Sequence, residues 1–136
     1  MKIIFFIAAS LALSAAASAN LKAIQGTWRP SSGQIGANAL PKAMLDKMVL
    51  VIKGETYDYS EGHGHDVGTL KEIAGKPPLA MDIIGTQGPN KGKTYLAIYK
   101  LEGSNLTIFY GLDGKRPKSF TDKGKLTLLI KYHRAS

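Results

Sequence analysis

The chain predicts an all-β protein, a single up-and-down antiparallel barrel of about eight strands with one short helix near 41–47. Three observations carry this. Short runs of β-forming residues, alternating or wholly apolar, recur at spacings of roughly 8–15 residues, punctuated by Gly, Asn, Asp and Pro. Strands do not alternate with long helical patterns, which argues against a parallel sheet. The only tryptophan, Trp28, closes the run Ile24-Gln25-Gly26-Thr27-Trp28 and marks the first strand.

The opening residues have another purpose. Lys2 is a positive n-region, Ile3 to Leu13 an apolar core, and Ala17-Ser18-Ala19 a small-x-small cleavage site. Residues 1–19 therefore read as a secretory signal peptide cut near Ala19/Asn20, with 20–136 as one barrel domain in the periplasm or outside the cell. The competing reading is a retained anchor, but the apolar run falls short of the roughly 20 residues that span a bilayer. The chain has no cysteine. It is therefore not a lipoprotein, and disulfides, thiolate metal sites and thiol nucleophiles are excluded.

The later elements follow in order. Pro41 to Lys47 combines good helix formers with a proline suited to a first turn. Met48 to Lys53 is an apolar strand, and Gly54-Glu55 turns it into Thr56 to Ser60, with Tyr57 and Tyr59 on one face. A Gly- and His-rich loop leads to Asp66–Ile73, and Gly75-Lys76-Pro77-Pro78 breaks the chain before Leu79–Gly85. Gln87 to Gly92 turns into Lys93–Leu101, where Tyr95, Ala97, Tyr99 and Leu101 share a face. A tight reversal leads to Leu106–Tyr110, and a longer loop to Lys125–His133, whose Leu126, Leu128, Ile130 and Tyr132 are expected inside. An interior with these tyrosines is either a hydroxyl-bearing cavity or simply a filled core.

The formal charge is +8, one unit of it from Lys2 in the leader. The lysines are scattered over turns and strand edges, without interleaved stacking aromatics, so they read as solubility and edge protection rather than nucleic-acid binding.

Candidate chemistry is sparse. His63 and His65, flanked by Glu61 and Asp66, are weak candidates for a metal site, because only His133 remains as a third imidazole. They read more simply as a solvated hairpin tip, and no metal or cofactor is expected. No serine lies in a nucleophile elbow. Gly88 to Thr94 ends in Gly-Lys-Thr but is one residue short of a phosphate loop, and a strand follows it. Asp82, inside the apolar run Leu79 to Ile84, either faces solvent or points inward against Arg116 or a tyrosine hydroxyl. The protein is not expected to be an enzyme.

Several segments, in this order, resemble a family of small exported lipocalin-like domains common in planctomycete bacteria. They are Ile24 to Trp28, Leu50-Val51-Ile52-Lys53-Gly54 with Tyr57, Pro77 to Ile83, Gly88 to Thr94, Ala97 to Leu101, Arg116 to Phe120, and Leu128 to Lys131. The resemblance spans Leu21 to Tyr132 and implies a lipocalin-type barrel without implying a reaction. It also implies that Gly26 and Trp28 belong to a closed barrel end, with Lys131 or Arg134 stacked over the indole.

The expected function is therefore binding of a small apolar or amphipathic molecule by a monomer. Its expected cavity residues are Tyr57, Tyr59, Asp82, Tyr95, Tyr99 and Tyr110. The alternative is a protein-binding module with a filled barrel, such as an inhibitor of a secreted enzyme or a cell-envelope interaction domain, acting through the loop Lys115 to Phe120.

Overall fold

The computed structural model of the protein describes residues 19–122 and 126–135. The signal peptide expected over 1–19 thus lies, apart from Ala19, outside the described residues. A short helix α1 (Ala19–Ala23) precedes β1 (Gly26–Ile35) and β2 (Asn38–Ala39). Then come α2 (Lys42–Leu45), β3 (Val49–Lys53), β4 (Thr56–Ser60) and β5 (His65–Ile73). The chain continues with β6 (Leu79–Gln87), β7 (Thr94–Glu102), β8 (Asn105–Gly111) and β9 (Thr127–Arg134). Two of these elements, α1 and β2, are too short to leave a periodic pattern in the sequence.

The strands form one sheet of order β2-β1-β3-β4-β5-β6-β7-β8-β9, and a further β1–β9 pairing closes it. Every pairing is antiparallel, so β1 and β3 to β9 make an eight-stranded up-and-down barrel with β2 outside it. Closure removes the exposed edges that an open sheet of these apolar strands would present. β1 holds the seam: Trp28 is opposite Leu50 of β3 on one side and Arg134 of β9 on the other. A register shift between Pro30 and Ser32 accommodates a proline, which has no N–H for the ladder. Pro41 is extended and caps α2 from outside rather than sitting in its first turn.

Alternation sorts the side chains. Leu50 and Ile52, Met81 and Ile83, Leu106 and Ile108, and Ile130 and Tyr132 are buried members of the main interior cluster. Leu126 departs from the expected inward stripe: it precedes β9 and is 54 % exposed. The opposite face of β6, β7 and β8 is also covered. Ala80, Ile98 and Phe109 form a second, outer cluster beneath Phe120, whose ring stacks on Phe109 at 6.5 Å. The segment 115–120 between β8 and β9 is therefore a flap packed on the outside of the barrel. Among the described residues, no helix is long and apolar enough to cross a membrane.

The end of the barrel at which β1 begins and β9 finishes is plugged. Leu21 and Ile24 are buried there, and Trp28, 0 % exposed, donates its indole N–H to the Ile24 carbonyl at 3.0 Å. The Arg134 guanidinium stacks over the indole at 4.3 Å and donates to the carbonyls of Gln25 and, at 3.1 Å, Ala23. Gln25 ties the same segment to the β3–β4 turn, donating to the Gly54 carbonyl at 3.0 Å and accepting from its N–H. Gly26 joins plug to strand at φ 129°, a backbone setting that side chains disfavour. Lys131 has no part in this closure. It is exposed, because its position on β9 puts it on the face opposite Tyr132 and Arg134.

Candidate functional site

The plug fills one end of the interior, so open space lies toward the other, where β3, β5, β7 and β9 begin. A cavity of about 200 Å³ occupies that region. Its apolar wall comes from alternate residues of facing strands, including Leu50, Met81, Ile83, Ile108, Leu128 and Ile130. Its polar groups are the hydroxyls of Tyr57, Tyr59, Tyr95, Tyr110 and Tyr132, together with Asp66 and Asn90.

Each polar group has a local reason for its place. Tyr57 and Tyr59 are two apart on β4 and share its inner face, opposite Gly68 and Asp66 of β5. Gly68 makes room for the phenol. A Cβ there would fall 2.7 Å from the Tyr57 ring and 2.0 Å from the Ile84 carbonyl oxygen. Asn90 comes from the β6–β7 turn and bridges two strands across the cavity. It donates to Asp66 Oδ2 at 2.7 Å and accepts from the Tyr95 hydroxyl at 2.8 Å. Tyr110 and Tyr132, on neighbouring β8 and β9, hydrogen-bond to each other at 2.9 Å. Tyr59 donates to Glu61 at 2.8 Å.

Burial favours the neutral form of four of these phenols, Tyr57, Tyr59, Tyr110 and Tyr132. It pushes Tyr57 up to about 12, with the Asp66 charge as the second cause and Tyr95 as the third. Tyr59 is raised further, by burial and then by its bond to Glu61. Burial also raises Tyr110 and Tyr132. The cavity therefore presents phenol hydroxyls and aromatic rings together with a single acidic side chain, Asp66. That residue is 9 % exposed, and its Oδ1 is buried without a hydrogen-bond partner.

Four of the six cavity residues expected from the sequence meet here: Tyr57, Tyr59, Tyr95 and Tyr110. The other two do not. Tyr99 shares the inner face with Tyr95 but lies deeper, in the plugged half, where it is fully buried and donates to Glu72 at 2.6 Å. Asp82 faces outward between inward Met81 and Ile83, and pairs with Arg116 of the flap. Arg116 also donates to the carbonyls of Met81 and Ala97.

Within the loop Lys115 to Phe120, Arg116, Pro117 and Phe120 are turned onto the barrel, whereas Lys115, Lys118 and Ser119 are exposed. His63 is exposed on the β4–β5 turn, and His65 pairs with Asp58 at 2.6 Å. His133 lies opposite Asn105 near the plugged end, far from both in the fold. Among the described residues, no three His, Asp or Glu side chains are grouped to share a metal ion.

Tyr132, expected on the inward stripe of the last strand, joins the four tyrosines of the cavity, and Asp66 and Asn90 complete the polar groups of the site beyond the residues expected for it. Asp66 was within reach of the pattern, since it has the parity of Gly68 and the buried Leu70 on β5. Asn90 sits in a turn, where strand alternation has no hold. No family model matches this chain, and no curated protein or solved structure matches it either.

Proposed function

We propose that this protein is an exported, non-catalytic carrier of lipocalin type that holds one small apolar or amphipathic molecule, as a monomer, in the open-end cavity. The observation that carries this reading is the cavity of about 200 Å³ with apolar walls and a few hydroxyl, amide and carboxylate groups, set opposite a plugged end. Its size limits the occupant. Ligand pockets for drug-sized molecules start near 300 Å³, whereas benzene occupies an engineered apolar cavity of about 150 Å³. The fitting ligand is a single ring or a short branched chain with one polar group, smaller than a fatty acid or a retinoid.

The polar groups favour binding over turnover. The cavity wall contains one carboxylate and a set of phenols, four of which burial holds in the protonated form. That leaves no carboxylate pair for general acid–base work across a bound substrate. The flap uses its arginine, proline and inner phenylalanine against the barrel, which leaves the protein-docking alternative with less to offer.

Native mass spectrometry of protein purified from its own source tests the reading. The expected spectrum shows the mature monomer carrying one small molecule that is released on denaturation. Bare chain, together with no uptake of small aromatic probes, contradicts it.

A further inference from the structure

We propose that the molecule held in the cavity is a small organic amine, bound as its cation with the ammonium group donating to Asp66. The inference deepens the carrier reading and rests on it.

Asp66 is the starting point. Oδ2 is fixed by Asn90, which Tyr95 in turn holds, so the carboxylate has a set orientation. Oδ1 is buried and accepts no hydrogen bond. Among the described residues, no lysine, arginine or histidine pairs with this carboxylate. A buried carboxylate oxygen without a donor is costly, and chains rarely keep one unless something supplies the donor. Asp66 itself lines a cavity large enough for a ring and a one-carbon arm, so a molecule held there is placed to supply a donor to this carboxylate.

Charge then selects among donors. An alcohol would satisfy the hydrogen bond but leave the negative charge of the carboxylate unbalanced in an apolar surrounding. An ammonium ion satisfies both, and charge-assisted bonds of this kind are shorter and stronger than neutral ones. The surrounding rings act in the same direction, because Tyr57, Tyr59 and Tyr95 share the cavity with Asp66 and aromatic faces attract cations. An anionic ligand would set like charges together in low dielectric. The chain as a whole carries +8, which draws anions rather than cations. A preference for a cation would therefore arise at this site and not from the overall field.

Isothermal titration at pH 7 with benzylamine, benzyl alcohol, toluene and benzoate tests the assignment on matched shapes. The expected order places benzylamine at least tenfold tighter than benzyl alcohol or toluene, with no binding of benzoate. Asp66→Asn should lower benzylamine to the level of toluene while leaving toluene unchanged. Asp58→Asn, which removes an outer-face carboxylate paired with His65, should change neither. Equal binding of benzylamine, benzyl alcohol and toluene overturns the amine assignment and leaves the carrier reading standing. Failure of all four probes to bind removes both. If Asp66→Asn does not fold, the four-probe series on the unaltered protein still decides the matter.

Discussion

Replacing Arg134 by alanine removes the lid of the plugged barrel end, and the cost can be worked from its contacts. The guanidinium stacks on Trp28 at 4.3 Å and donates to two carbonyls of the segment that carries Leu21 and Ile24. A partly desolvated cation–π contact contributes about 1 kcal/mol. The part-buried charged hydrogen bond to Gln25 contributes about 1.5 kcal/mol, and the exposed one to Ala23 less, since water replaces it. The expected loss is about 3 kcal/mol, which for a domain of this size lowers Tm by roughly 10 °C. Trp28 is the only tryptophan and is fully buried, so its fluorescence reports this end of the barrel alone. Urea titration followed by that emission should give the loss, with a red-shifted native spectrum. Arg134→Lys keeps the charge but not the planar fork, and should recover less than half of the stability. A loss below about 1 kcal/mol with unchanged emission would refute closure by Arg134.

Two further predictions concern the phenols and the flap. Tyr57, Tyr59, Tyr99, Tyr110 and Tyr132 all have folded-state pKa values raised above the unfolded value of about 10, burial being the first cause in each. The native state therefore favours the neutral phenol, so this stability is intact below pH 10 and is lost as pH rises, for Tyr57 through about 12. Phenolate absorbance at 295 nm should appear in one step together with loss of the Trp28 signal; independent titration near pH 10 with native fluorescence would contradict this. Phe120→Ala removes a half-buried ring that stacks on Phe109 and lies under the Lys100 ammonium at 4.8 Å. It should cost about 2 kcal/mol and release hydrogen-exchange protection in 115–120 while the barrel amides stay protected; unchanged exchange there would show that the flap does not depend on the ring.

The sequence carries side-chain parity well and depth poorly. Leu128, Ile130 and Tyr132 point inward as alternation requires, and so do Tyr57, Tyr59, Tyr95 and Tyr99. Tyr95 and Tyr99 are four residues apart, or about 13 Å of strand. One therefore faces the cavity while the other supports the plug, a distinction that depends on the whole barrel's register. Parity alone separates the two candidates for the lid, since Arg134 matches Tyr132 and Lys131 does not. Asp82 also obeys alternation, but its partner Arg116 is 34 residues away, on a flap whose packing leaves no periodic trace. The Asn90 bridge leaves the least trace in the sequence. It forms only because a turn between β6 and β7 folds back toward Asp66 of β5.

The most direct test of the account is a methyl-resolved NMR titration with toluene. Binding in the open-end cavity should shift the methyl signals of Met81, Ile83, Ile108, Leu128 and Ile130, which line it. Those of Leu21 and Ile24, buried in the plugged end, should stay in place. Saturable shifts confined to the first set are the predicted result. No saturable shift, or equal movement in both sets, would contradict a carrier with one defined binding end.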